Sequence, residues 1–265
     1  MTHVRRLAAC AALIICAWMG GACDEPTEAP RVQLPVVVSA QGVAPVTTDL
    51  GYDVRLTSAR VALSGVVFTV AGEEHAGSMA SRVYEALVPS ARAHPGHYQG
   101  GEVTGELAGA FVIDWIAQDA RELGVATLLA GTYNGANFTF ERAGELAGDD
   151  ALPGHTAVLQ GTATRQGAVV SFTIVLDSPA GRVLVGAPFE AAIDEDTTGT
   201  LALHFNTSDV LEGDTLFDGI DFSTLDADAD GQLLIQPDEP AVEDAYNTVR
   251  RAFQTHDHYA VTLEN

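Results

Sequence analysis

The sequence has little positive charge and no lysine. Its 265 residues include 13 basic side chains, all of them arginine, against 36 acidic ones, which gives a formal net charge of −23 at pH 7. Negative charge in this excess repels a phosphate backbone and an anionic lipid surface. We therefore do not expect nucleic acid as a partner, and we expect cations to be the natural ligands.

Cysteine is also scarce, and it is confined to the N-terminus as Cys10, Cys16 and Cys23. The chain after Cys23 can form no internal disulfide, which is unusual for an exported protein. Apolar residues are plentiful at 47% of the chain, so the sequence can bury a core and is not expected to be disordered.

The first residues are typical of an export signal. Arg5 and Arg6 precede an apolar run over residues 7–19, which is shorter than the ~20 residues that a membrane-spanning helix needs. Small residues follow, in the string Gly20-Gly21-Ala22-Cys23. The pattern predicts an export signal over residues 1–22, with a permanent membrane anchor as the alternative.

The small residues before Cys23 resemble the lipobox of bacterial lipoproteins, although Gly20 stands where that family usually has an aliphatic residue. The resemblance implies that Cys23 is acylated and that a lipid anchor holds the protein in the cell envelope, at the periplasmic or outer surface. Ordinary cleavage at the same bond, which leaves a free thiol, is the alternative. Three prolines favour an extended tether over residues 23–36, followed by a single domain over residues 37–265.

That domain is expected to be mainly β. Period-two or short apolar runs separated by turn residues predict many short strands and indicate an antiparallel sandwich or a barrel-like fold. Asn134-Gly135 predicts a hairpin turn, and Gln166-Gly167 separates another pair of alternating segments. The predicted strands cover 36–39, 54–56, 61–70, 110–116, 126–129, 137–141, 157–164, 168–176, 183–185, 201–205 and 258–263.

Two segments have helical spacing instead. Residues 78–87 predict a short helix within an insertion, since the apolar positions recur at helical intervals and the segment stops before Pro89. Pro240 can start a C-terminal helix whose apolar residues form one stripe that would pack on the sheet. That stripe consists of Val242, Ala245, Tyr246, Val249 and Phe253.

The segment 209–244 is strongly acidic, with twelve acids and no arginine. Within it, Asp226, Asp228 and Asp230 alternate and precede Gly231, which resembles the first half of an EF-hand calcium loop. The resemblance implies that the three carboxylates and the backbone carbonyl of Gln232 bind calcium. It departs at the twelfth position, where Pro237 replaces the usual Glu, so Asp238 or Glu239 would supply that ligand. A solvated acidic turn is the alternative.

Histidines suggest a second metal site. His94 and His97 flank a Pro-Gly turn, and His155 follows another. His256 and His258 are two residues apart, so on an extended strand they would point to the same side. These five imidazoles suit zinc or copper(II) if they converge. Scattered surface histidines are the alternative.

Three functions are compatible with these patterns. The first is a membrane-tethered, exported β domain that binds divalent metal ions through the histidines and a structural calcium loop. The second is a non-catalytic cell-envelope or surface interaction module in which calcium is only structural. The third is a metal-dependent hydrolase, which the absence of any familiar enzyme motif disfavours. The sequence names no protein partner.

Overall fold

A computed structural model describes residues 30–70, 103–142, 152, 154–179, 181–209 and 212–265. Within these ranges the chain is mainly β, as the sequence predicts. Twelve strands belong to one mixed sheet. They are β1 Arg31–Ser39, β2 Val46–Thr47, β3 Asp53–Val70, β4 Val103–Asp114, β5 Glu122–Leu129, β6 Gly131–Phe140, β7 Ala157–Arg165, β8 Ala168–Leu176, β9 Val183–Ile193, β10 Thr200–Phe205, β11 Gln232–Ile235 and β12 Tyr259–Glu264.

The sheet is organised around β3, which is 18 residues long and pairs with several other strands. Residues 53–61 of β3 pair with β7 and residues 63–70 pair with β6, both antiparallel. The strand order is β11-β8-β7-β3-β4-β5-β1-β10-β12, and β6 carries β9 on its other edge. β9 contacts β12, but no ladder joins them among the described residues, so the sheet does not close into a barrel.

Most pairs are antiparallel, in line with the sequence prediction, but two are parallel. β1 runs parallel to β10, and β11 runs parallel to β8. Sequence periodicity carries no information on pairing direction, because it reports only which side of a strand is buried.

The tether prediction was too long at its C-terminal end, because β1 begins at Arg31 and includes Pro35. Proline is tolerated there because this part of β1 pairs on one side only: residues 31–37 pair with β5, whereas the pairing with β10 begins at Val36. Proline lacks the N–H that a second ladder would need. Residues 1–29, which include Cys23 and the predicted export signal, lie outside the described residues.

One of the two turn predictions is confirmed. Gln166 and Gly167 have φ values of 53° and 86° and join β7 to β8. Positive φ at both positions is the geometry of a tight hairpin turn. The Asn134-Gly135 prediction is wrong, because both residues lie inside β6 at a register shift. Gly135 lies close to β3, since a Cβ there would come within 3.2 Å of the Thr69 hydroxyl.

One helix lies within the acidic segment 209–244, and the other begins at the end of that segment. A short helix, α1 Phe222–Leu225, precedes the Asp-rich loop, and α2 Glu243–Phe253 follows a 3-10 turn over Pro240–Val242. The whole predicted apolar stripe of the C-terminal helix is buried, which confirms that prediction. α2 packs on β8 and β11. The predicted helix at 78–87 lies outside the described residues.

The main core is a large apolar cluster, and a smaller cluster forms around Ala62, Leu152 and Val158. At the centre of the main core Tyr259 packs against the rings of Phe138, Phe205 and Phe253 at centroid distances of 5.0–6.1 Å. The Tyr259 hydroxyl donates to the backbone carbonyl of Phe253 at 3.0 Å, and burial raises the pKa of this phenol well above its usual value. The C-terminal helix and the final strand are thus joined through the core.

Candidate metal sites

The Asp-rich loop connects α1 to β11 through a sharply bent backbone. Ala229 and Gly231 have φ values of 55° and 77°, both in the left-handed region. The bend brings one carboxylate oxygen each from Asp226, Asp228 and Asp230 within 4.8 Å of one another. The residues that the sequence singled out therefore do converge, as the alternating pattern predicts. We refer to them as the loop cluster.

Asp226 holds the loop cluster to the fold and leaves one oxygen unsatisfied. Its Oδ2 accepts a hydrogen bond from the Gly231 N–H at 3.0 Å, while its Oδ1 is buried without a hydrogen-bond partner among the described residues. Asp230 accepts from the Gln232 N–H at 2.7 Å. Asp228 is exposed. A buried carboxylate oxygen without a partner is costly unless a cation or water satisfies it.

The expected later ligands are less well placed. Gln232 begins β11 directly after the loop cluster. Asp238 has a φ of 62° in the turn before α2, and it does not belong to any group of three converging ligand atoms in the described part of the chain. The loop thus offers three side chains in its first half, and among the described residues no fourth ligand atom joins this group.

A second network anchors α1, and with it the start of the loop. Asp221 caps the helix by accepting from the Thr224 N–H at 3.2 Å, and it also accepts from the Tyr52 hydroxyl at 2.5 Å. The Tyr52 hydroxyl lies 2.7 Å from the Ser223 hydroxyl, and the Arg165 guanidinium lies 4.2 Å from the centroid of the Tyr52 ring. The Tyr52 hydrogen bond is the main reason that the pKa of Asp221 is lowered to about 2. A four-residue helix needs such tertiary support.

The structure also contains an acidic group that sequence reasoning missed. Oxygens of Asp209, Glu212 and Asp214 lie within 4.8 Å of one another. An isolated bridge between Ser208 and Thr215 closes this turn, and the Asp209 N–H donates to the Asp214 carbonyl at 2.8 Å. The sequence signal was weak, because the spacing matches no ligand motif. We refer to these three residues as the bridge cluster.

Asp218 stabilises the same region with hydrogen bonds. It accepts from the Thr215 N–H at 2.7 Å, from the Thr215 hydroxyl at 2.8 Å and from the Asp49 N–H at 2.9 Å. Its carboxylate thereby links the turn after β10 to the turn before β3. Asp218 and Asp221 are thus both structural acids, because hydrogen bonds to the fold engage their carboxylates.

The histidines that the structure describes lie in separate environments. His155 Nδ1 is 3.0 Å from the Asp177 carboxylate, near the end of the β7–β8 hairpin. His204, on β10, lies 2.8 Å from the Thr262 hydroxyl, and burial lowers its pKa. His94 and His97 lie outside the described residues. No group of three converging ligand atoms in the described ranges includes a histidine.

The prediction that His256 and His258 share one face of a strand is wrong. His256–His258 forms a 3-10 turn, and β12 begins only at Tyr259. His256 contacts Asp257, whereas His258 is only 4% exposed and its Nδ1 lies 2.9 Å from the Asn206 carbonyl. Burial lowers the pKa of His258, against the opposing effects of that hydrogen bond and of the charges on Asp209, Asp257 and Asp214. The chain between the end of α2 at Phe253 and the buried Tyr259 therefore turns instead of extending, and the two imidazoles do not share one face of a strand.

Comparison of the chain with protein-family models, with curated proteins and with solved structures finds no match. Within the described residues no helix is long and apolar enough to cross a membrane. Functional inference therefore depends on the sequence pattern and on the geometry of the sites.

Proposed function

We propose that this protein is an exported, lipid-anchored β domain that binds divalent metal ions, with calcium held by the loop cluster. The observation that carries the calcium assignment is the buried Oδ1 of Asp226, which lies in a group of three carboxylates and has no hydrogen-bond partner among the described residues. Calcium prefers carboxylate and carbonyl oxygens and tolerates irregular geometry. An ion there would join α1 to the start of β11.

The role of this calcium would be structural. The loop cluster lies between two elements of secondary structure and no histidine belongs to it. In an exported protein such a site can be weak and still be occupied, because extracellular calcium modules work at about 10⁻⁴–10⁻³ M. The transition-metal site stays a prediction. Of its five histidines, His155, His256 and His258 do not form a group with one another, and the other two lie outside the described residues.

Metal analysis tests the calcium site in the loop cluster separately from the predicted transition-metal site of the histidines. The full-length protein is desalted with and without prior EDTA treatment, and its calcium, zinc and copper are measured before calcium titration by calorimetry. We expect calcium binding that Asp226→Asn with Asp228→Asn weakens at least about tenfold, since two charged ligands are lost. Asp196→Asn, an exposed acid outside both clusters, is the matched control.

Calcium binding that is absent, or that is equal in the double variant and the control, would contradict the loop assignment. Zinc or copper near one equivalent that is lost in the variant with both His256→Ala and His258→Ala would support the histidine site. Unchanged zinc and copper content in that variant would refute it.

The lipid anchor has its own test. We expect the intact mass of the protein extracted from bacterial membranes to match a chain that starts at Cys23 and carries acyl groups, with Cys23→Ser abolishing membrane association. A mass equal to that of the unmodified chain from Cys23 would mean that ordinary cleavage had occurred.

A further inference from the structure

The chain contains two Asp-Gly sequences, Asp218-Gly219 and Asp230-Gly231, and one Asn-Gly sequence, Asn134-Gly135. In such sequences the backbone nitrogen of glycine can attack the side-chain carbonyl carbon of the preceding residue, because glycine has no Cβ to hinder the approach. The product is a five-membered succinimide ring, which water opens to aspartate or to isoaspartate. The way in which the fold holds each sequence decides whether the reaction occurs.

Two of the three sequences are held in unreactive arrangements. Asn134-Gly135 lies inside β6, where β3 pairs on one side and β9 on the other. The Asp218 carboxylate accepts hydrogen bonds from the N–H and the hydroxyl of Thr215 and from the Asp49 N–H. Both oxygens of Asp218 are thus engaged by residues that precede it in the chain, and not on the side of Gly219.

Asp230 is held in the opposite direction. Its side chain is exposed, and its carboxylate accepts from the Gln232 N–H at 2.7 Å. This hydrogen bond spans Gly231, so it folds the carboxyl group over the peptide bond whose nitrogen would attack it. Gly231 and Gly219 have φ values of 77° and 78°, so the two Asp-Gly sequences differ in the direction of the carboxyl group and not in the φ of the glycine.

The proton that must leave the Gly231 nitrogen already has an acceptor. The Gly231 N–H donates to Oδ2 of Asp226 at 3.0 Å, which is within the reach of a general base. Gly219 has an equivalent acceptor, because its N–H donates to the Asp49 carboxylate at 2.8 Å. The two sequences are therefore matched in this respect also, which leaves the carboxyl direction as the difference that selects Asp230.

We propose that Asp230-Gly231 is a site of self-modification, at which the folded loop converts aspartate to isoaspartate. The Gly231 nitrogen bonds to Cγ of Asp230 while its proton passes to Asp226, which returns it to solvent. One carboxyl oxygen of Asp230 takes up a proton from solvent and leaves Cγ as water. A second water then breaks the original peptide bond between Asp230 and Gly231, and the new bond through Cγ remains. One water is lost and one is gained, so the change is an isomerisation without oxidation or reduction.

The modification changes the loop cluster and the start of β11. The side-chain methylene of Asp230 enters the main chain and the carboxylate moves to a shorter branch, so the hydrogen bond to the Gln232 N–H cannot keep its geometry. The Gly231 carbonyl, which accepts from the Ser171 N–H at 2.9 Å, lies in the same lengthened segment. Isomerisation therefore loosens the attachment of β11 to β8. Only groups of the chain and water take part, so the proposal is independent of calcium.

Ageing of the full-length protein tests this proposal, with EDTA in every sample so that calcium plays no part. Folded protein and protein unfolded in guanidinium chloride are incubated at the same mildly acidic pH. Isoaspartate at positions 218 and 230 is then measured by mass spectrometry of peptides with electron-transfer fragmentation. In the folded protein we expect isoaspartate to form at position 230 at least about tenfold faster than at position 218, because orientation controls intramolecular reactions. In the unfolded protein the two rates should be similar.

A pair of variants tests the role of Asp226. Asp226→Asn should slow the reaction at Asp230, because a carboxamide accepts the Gly231 proton poorly. Asp228→Asn is the matched control, since it removes a charge from the same loop but leaves the Asp226 hydrogen bond to Gly231 in place. Circular dichroism checks that both variants fold.

The proposal is overturned if folded protein forms isoaspartate at position 230 no faster than at position 218, or if the preference for position 230 is equally large in the unfolded protein. Equal rates in the two variants would refute the role of Asp226 as the base. Calcium titration of protein that has not been aged reports separately on the loop cluster, so the failure of one proposal is distinguishable from the failure of the other.

Discussion

The two acidic clusters contain the same kind of side chain, yet they are assembled differently. The loop cluster is made by local sequence: alternating aspartates and a left-handed bend bring three carboxylates together within five residues. The bridge cluster depends on the pairing of Ser208 with Thr215, which closes a turn. The sequence pattern therefore predicts the loop cluster, whereas it does not predict the bridge cluster.

A second difference concerns what the neighbouring acids do. Next to each cluster lies one aspartate whose oxygens are engaged by hydrogen bonds, Asp221 near the loop cluster and Asp218 near the bridge cluster. Sequence alone does not distinguish these structural acids from candidate ligands. The difference lies in whether N–H and O–H donors face the carboxylate, which is decided by residues as distant as Asp49 and Tyr52.

The largest effect is expected for the structural acid beside the bridge cluster. Asp218→Ala removes an acceptor of three hydrogen bonds and should lower the free energy of unfolding by about 2–3 kcal/mol. Urea denaturation measures this loss. Asp218→Asn keeps one acceptor oxygen and should be less destabilising, whereas equal stability of the Ala variant and the native protein would show that the network contributes nothing.

A smaller effect is expected for the anchor of the loop cluster. Tyr52→Phe removes the hydroxyl shared by Asp221 and Ser223 but keeps the ring contact with Phe222, so we expect a loss of about 1–2 kcal/mol. Because that hydroxyl holds the pKa of Asp221 at about 2, the variant should also raise this pKa, which carboxyl-detected NMR measures. An unchanged pKa would contradict the assigned hydrogen bond.

The smallest effect is the pH dependence that involves His258. Burial lowers its pKa in the folded state below the value of about 6.5 in the unfolded chain. The unfolded state therefore binds more protons, and stability is complete above pH 6.5 and falls as the pH drops from there toward the folded-state pKa. Urea denaturation should give a lower free energy of unfolding at pH 5 than at pH 7, and His258→Gln should make this difference smaller.

His204, whose pKa burial also lowers, serves as the comparison. His204→Gln should also reduce the loss of stability between pH 7 and pH 5, because the imidazole of His204 likewise binds a proton more readily in the unfolded chain. If neither variant changes the difference between pH 7 and pH 5, the carboxylates and not the buried imidazoles set the acid sensitivity.

The fold was predictable where burial alternates locally. The strands at 157–164 and 168–176 and the buried stripe of α2 were found because each residue's environment repeats with a fixed period. The predictions failed where distant chain segments compete. Asn134-Gly135 has the sequence of a turn, but pairing with β3 and β9 holds it within β6. His256 and His258 were expected on an extended segment, but they form a 3-10 turn between the end of α2 and the buried Tyr259.

The amino-acid sequence by itself determined the mainly β character, the packing stripe of the last helix and the grouping of Asp226, Asp228 and Asp230, because each depends on residues close in the chain. Only the tertiary structure decided which strands pair and why Asp218 and Asp221 are engaged by hydrogen bonds. These features arise from contacts between residues far apart in the chain, such as Asp49 and Gly219, which are separated by 170 residues. No local period encodes such contacts, because their energy comes from burial and hydrogen bonding between segments that meet only in the folded chain.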